Sequence, residues 1–163
     1  MTFEEARLLV REYLDTLGLD SPGLNSSGMG GAVVGDLEVY FEYAPKHTSC
    51  SWIGLQTAKD VDDAGSWLRA HARIYTFMRE AKPEVLAELQ KAAQNPNIPN
   101  AGGEITYMSE NHGLFLSRSY DEAPAVKTFC RDIEVLMATS RHWLENVVEE
   151  CLERARGRAV TKA

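Results

Sequence analysis

Four histidines, three cysteines and one glycine cluster are the residues of this chain whose types could do chemistry. Gly28-Met29-Gly30-Gly31 has the composition of a loop that cradles phosphate. Such loops join a strand to a helix N-terminus, whose N–H groups and dipole hold the anion. Here a loop precedes the glycines, a strand-like run follows them, and no Gly-Lys-Ser/Thr is present, so the cluster reads as flexible loop. His47, His71, His112 and His142 stand at no metal-ligand spacing such as His-x-x-x-His or Cys-x-x-Cys. His47 and His112 fall in predicted turns, His71 and His142 on predicted helices. A Cys50–His112 nucleophile pair would need convergence in space, and no local signature supports it. The carboxylate pairs Asp62-Asp63 and Glu149-Glu150 are adjacent, and adjacent residues on a helix do not face each other. Cys130 and Cys151 fall on one predicted helix, where 21 residues span about 30 Å, too far for a disulfide. The odd, scattered set reads as reduced thiols. No metal, cofactor or catalytic group is expected.

The elements that would position such residues are clearer. Thr2 and Glu5 have capping-box spacing, and Ala6, Leu9, Val10, Tyr13, Leu14 and Leu17 recur at helical spacing up to Gly18. Gly31–Val34 and Leu37–Tyr43 read as strands joined at Gly35-Asp36 by a type II′ turn, and Pro45 ends the second. Leu37, Val39, Phe41 and Tyr43 share one face of it; Glu38, Tyr40 and Glu42 share the other. Ser49–Thr57 reads as a third strand, with Trp52 and Ile53 on opposite faces. Asp62, Asp63 or Ser66 would cap a second helix running to about Ala81, with Trp67, Ala70, Ile74, Phe77 and Met78 on one face. Pro83 suits the first turn of a short helix over 84–94. Residues 95–103 are loop, and 104–109 with 114–119 form a hairpin. Asp121 would cap a last helix, with Pro124 in its first turn. Its stripe is Val126, Phe129, Ile133, Leu136, Met137, Ser140, Leu144, Val147, Val148 and Cys151, and Gly157 would stop it.

Composition bounds the partners. The 163 residues favour one domain, expected over 1–157 with a basic tail at 158–163. A net charge of -7 repels phosphate backbones and anionic lipid, which argues against nucleic acid and membrane. No apolar run approaches the roughly 20 residues of a membrane span, and the acidic N-terminus lacks a signal peptide's basic region. A cytoplasmic protein is expected.

The chain resembles the class I type III secretion chaperones, the Tir-chaperone-like group. The resemblance is carried by Leu8–Leu19 with its Leu-Gly-Leu end, the strands between Gly31 and Thr57, the hairpin ending Leu114–Tyr120, and Phe129 through Trp143. The order helix, three strands, helix, two strands, helix is that family's order and covers most of residues 3–150. The Pro83–Gly103 segment and the basic end are longer than its usual pattern. The resemblance implies an α+β fold, an antiparallel sheet packed on helices, and a homodimer without cofactor. It also implies a non-catalytic role: holding an extended N-terminal segment of a secreted effector, by apolar grooves and strand pairing at a sheet edge. Leu9, Val33, Val39, Phe41 and Ile53 are the candidates for contact with that segment. Trp67, Leu68, Ile74, Tyr75, Met78, Ile105 and Tyr107 are the candidates for the dimer interface. Two other readings stand beside it: a regulatory adaptor of the same fold, and a small enzyme with a site in the dimer cleft. A buried polar cluster with strongly perturbed ionisation would favour the enzyme.

Overall fold

The structure is a computed structural model and describes residues 1–45 and 65–161. The expected third strand with Ile53, and with it His47, Cys50, Trp52, Asp62 and Asp63, lies outside the described residues.

Helix α1 spans Phe3–Thr16. Its capping box is formed: Glu5 N–H donates to Thr2 Oγ1 at 3.2 Å and Thr2 N–H donates to Glu5 Oε2 at 2.7 Å. Gly18, at φ +76°, closes the other end. Its N–H reaches the Asp15 carbonyl at 2.9 Å, and the Leu19 N–H reaches the Leu14 carbonyl at 3.0 Å. This is the paired Schellman closure that a left-handed glycine permits. Strands β1 (Met29–Val34) and β2 (Leu37–Pro45) meet at Gly35, φ +67°, while Asp36 stays out of the left-handed region, as a II′ turn requires.

The next element corrects the sequence reading. Ser66–Thr76 is not a helix but strand β3, eleven residues long, paired antiparallel with β2. Its residues satisfy both periods. Trp67, Ala70, Ile74 and Phe77 fit a helix face, but Leu68, Ala70, Ala72 and Ile74 also alternate with Trp67, Arg69, His71 and Arg73. Two strands wait to pair with it, and that tertiary pairing overrides the helical propensity of Leu, Arg and Ala. The order of elements is preserved, with β3 in the place of the third strand. Helix α2 (Pro83–Gln94) has Pro83 in its first turn. Strands β4 (Glu104–Met108) and β5 (Gly113–Tyr120) form the expected hairpin.

The sheet order is β1-β2-β3-β5-β4, and all neighbours run antiparallel. Helix α3 (Val126–His142) lies across β2, β3 and β5, and α1 packs against α3 and β2. Ala70 and Ala72 are fully buried on β3, and such short side chains let the helix layer approach closely. Tyr13, Phe41, Phe129 and Tyr120 form a continuous aromatic row, with centroids 5.8, 6.0 and 5.3 Å apart in turn.

Two helix boundaries also differ from expectation. Asp121 does not cap α3; the helix starts after Ala125, because Pro124 holds the chain extended just ahead of it. Gly157 does not stop the last helix either. A π-helical segment, Trp143–Val148, leads into helix α4, which runs through Gly157 to Thr161. The wider π turn puts Trp143 inside, its Nε1–H donating to the Pro99 carbonyl at 2.7 Å, and leaves Leu144 of the expected stripe at the surface. Helix α4 packs on α2. Among the described residues the architecture is α+β, with helices packed on one antiparallel sheet.

Phe41 sits at the middle of the aromatic row with no exposure. Phe41→Ala should cost about 3–5 kcal/mol of stability in urea denaturation. Val33→Ser, at an exposed position of the same hairpin, should cost less than about 0.5 kcal/mol. Equal losses would place the core elsewhere.

Candidate partner-binding surface

Strand β1 is an edge of the sheet. The pairing Gly30↔Phe41, Ala32↔Val39 and Val34↔Leu37, together with the Tyr43 N–H donating to the Gly28 carbonyl at 2.8 Å, sets its hydrogen-bond phase. In an antiparallel pair only alternate residues exchange backbone bonds. Even-numbered residues of β1 therefore bond to β2, and Met29, Gly31 and Val33 turn their N–H and C=O groups outward. Met29 uses both of its own on Asn25, donating to Oδ1 at 3.0 Å and accepting from the backbone N–H at 2.8 Å. Gly31 and Val33 have no such partner among the described residues. Their edge is flanked by apolar side chains in water: Val33 is 65% exposed and Met29 43%. An unpaired backbone edge with exposed apolar side chains is a template for an added strand.

Of the segment-binding candidates, Val33 alone is placed at this surface. Leu9, Val39 and Phe41 are buried in the chain's own core, because the face of β2 that alternation marks as apolar is the face that α1 and α3 cover. Ile53 lies outside the described residues. Of the interface candidates, Leu68, Ile74, Ile105 and Tyr107 are likewise core. With β3 a strand rather than a helix, its apolar residues face the chain's own helices instead of forming a second side. Trp67 and Tyr75 are half-buried, and Met78 is fully exposed beyond the end of the strand.

The other face of the sheet holds a polar arrangement that periodicity did not reveal. Glu42 on β2, His71 on β3, Ser117 on β5 and Thr106 on β4 form one relay across four neighbouring strands. Glu42 Oε1 lies 2.8 Å from His71 Nε2, His71 Nδ1 lies 2.6 Å from Ser117 Oγ, and Ser117 Oγ lies 2.8 Å from Thr106 Oγ1. With neutral His71, Nε2–H donates to Glu42 and the two hydroxyls point toward Nδ1; a protonated ring reverses both hydroxyls. On either side, Arg69 donates to Glu104 Oε1 at 2.9 Å, and Arg73 pairs with Glu38 Oε2 at 3.0 Å. Knowing that 66–76 is a strand would have been the signal, since Arg69, His71 and Arg73 then share a face.

The order carboxylate, imidazole, hydroxyl is that of a nucleophile relay. Yet Ser117 and Thr106 are fully buried, and each Ser117 contact is taken up by the sheet itself. The cluster therefore joins strands rather than presenting a nucleophile. The two described cysteines show the same inertness: burial pushes the Cys151 thiol up to about 11 and raises that of Cys130. Among the described residues no three His, Cys, Asp or Glu are grouped to hold a metal, and no helix is long and apolar enough to cross a membrane.

No family model matches the sequence, and no curated protein matches it. The structure does have counterparts. A chain in the crystal structure of the ExsC–ExsE complex matches at a TM-score of 0.61 with 11% identity, over 89% of this chain and 95% of that one. A chain in the HopA1–SchA chaperone–effector complex matches at 0.55 with 17% identity, over 88% of this chain and 95% of the other. The fold is the one these two chains share, the α+β order that the resemblance to class I type III secretion chaperones implies.

The hydrogen bond from His71 outweighs burial and holds the Glu42 carboxyl below its ordinary 4.5. A depressed carboxylate stabilises the fold above its unfolded value, and that stability is lost as pH falls through the folded value. Glu42→Gln should therefore cost about 1 kcal/mol at neutral pH and flatten the decline below about pH 5. Urea midpoints at several pH values measure both; an unchanged acid limb would remove Glu42 from the account.

Proposed function

We propose that this protein is a non-catalytic, cytoplasmic chaperone that holds an extended segment of a secreted effector and keeps it competent for secretion. The observation that carries the reading is the open backbone edge at Gly31 and Val33 in a fold shared with a chain of a chaperone–effector complex. A client segment adds as a sixth strand on β1, with main-chain bonds for affinity and Val33 and Met29 as apolar contacts for alternate side chains. Each fully buried aliphatic side chain contributes roughly 1.5–3 kcal/mol, so a few offset the entropy lost when the segment orders. No cofactor or nucleotide is needed for that exchange. The chain's net charge of -7 favours a client with interspersed Lys or Arg, bound less tightly as salt rises.

A homodimer accompanies this reading. Of its interface candidates, Trp67, Tyr75 and Met78 keep surface to offer a twin across a two-fold axis. Sedimentation showing only monomer at micromolar concentration would remove it.

Val33→Pro is the direct test of the edge. It deletes an outward N–H and leaves the β1–β2 ladder intact, a position where edge strands tolerate proline. Circular dichroism should be unchanged, while affinity for the client co-purified from the native host falls about tenfold, the loss of one good hydrogen bond. Full affinity in the folded variant places the client elsewhere.

A further inference from the structure

A second surface lies away from the β1 edge. Residues 77–82, leaving β3, run past the start of α2 and the side of α4, and a groove of about 530 Å³ lies between them. Its apolar lining includes Phe77, Ala81, Val85, Leu152 and Ala155. The position of Phe77 is fixed by edge-on contacts with Tyr75 and Tyr107, at 4.8 and 6.0 Å. Met78 stands beside the groove at 98% exposure, an unbranched thioether able to fold over whatever enters.

The charges around the groove set its partner. Arg79, Lys82 and Arg156 line it and are exposed, and among the described residues none has a carboxylate partner. Elsewhere Arg7, Arg69, Arg73, Arg118, Arg141 and Arg154 all face carboxylates of this chain. With Glu80 and Glu84 also lining it, the groove carries a net +1 (three cations less two acids) in a chain of net -7. Past Arg156 the sequence of α4 adds one more cation, Arg158, and no acid. A net-positive rim around an apolar slot is the complement of an acidic segment with an apolar side chain. Glu80 and Glu84 interrupt the rim, which disfavours a continuous phosphate surface more than a peptide whose charges are spaced.

We propose that the groove between the β3–α2 connection and α4 is a docking site for an acidic protein segment, which inserts one apolar side chain beside Met78 and pairs its carboxylates with Arg79, Lys82 and Arg156. The site is independent of the effector reading: it selects the opposite charge from the rest of the surface and leaves the β1 edge free. Both segments can then be held at once.

The probe is a fluorescein-labelled peptide of alternating Asp and Ser around one central Leu, titrated with the full chain in low salt and followed by anisotropy. The acidic peptide should bind, its Lys-for-Asp counterpart should not, and Ser in place of the central Leu should weaken binding about tenfold or more. The double change Arg79→Glu with Lys82→Glu, at two exposed positions, should keep the circular dichroism spectrum and weaken binding by at least about tenfold. Val33→Pro should leave it unchanged, which separates this site from the client edge. Equal binding of the basic peptide, or full affinity in the double variant, overturns the proposal. So does binding to anionic phosphatidylserine vesicles but not to the peptide, which would make the rim a lipid contact. A dimer that the double variant converts to monomer would make the groove an interface between copies and overturns it equally.

Discussion

The structure depends on β3 being the central strand. It pairs with β2 on one side and β5 on the other, so each of its faces must be covered or satisfied along its whole length. The face with Leu68, Ala70, Ala72 and Ile74 meets the helices, and its two alanines bring α3 close to the sheet. The other face carries three potential cations in succession, Arg69, His71 and Arg73. Arg69 and His71 are buried, and a buried charge without a partner costs several kcal/mol. Each is met by a carboxylate from another strand: Glu104 on β4, Glu42 and Glu38 on β2. These pairs require the strands to sit in this register, since a slip of one residue would turn every partner to the other side.

That constraint explains why the surfaces proposed for partners lie at the margins of the fold. The helix face is consumed by the aromatic row of Tyr13, Phe41, Phe129 and Tyr120. The opposite face is occupied by polar groups that satisfy one another, the relay from Glu42 to Thr106 among them. A carboxylate, an imidazole and a hydroxyl in line would suggest catalysis in a cleft. Here the hydroxyl is enclosed, and the same atoms hold four strands together. Among the described residues, openings include a backbone edge at β1 and a groove lined by α4 and the start of α2. Both are suited to segments of other chains, one through main-chain pairing and one through charge around an apolar slot.

The π segment at Trp143–Val148 serves the second of these openings. By bringing Trp143 inward onto the Pro99 carbonyl it ties the 95–103 loop to the helix layer. It also resets the face of the helix that follows, so that Cys151 and Ala155 pack inward and Leu152 meets α2 at the groove. The Pro83–Gly103 segment is thus held in place by α4.

Much of the fold was legible in the residues alone. The capping box at Thr2, the glycine closure at Gly18, the Gly35 turn, the 104–120 hairpin and the inward stripe of α3 follow from local rules, because the groups that satisfy them lie within a few residues. The expectation of a chaperone-like α+β order came instead from the resemblance to a known family. The 66–76 segment was not legible. Its residues obey a period of two and of 3.6 together, and the choice was made by strands whose partner residues lie 21 to 33 positions before it and 37 to 52 positions after it. Three of the segment-contact candidates turned inward for the same reason. Apolar character marked Leu9, Val39 and Phe41 as able to bury, but whether they bury against this chain's helices or a partner's segment is a matter of what covers each face. Sequence periodicity assigns residues to faces; only the tertiary structure decides which face is left open, since burial is settled by contacts between elements distant along the chain.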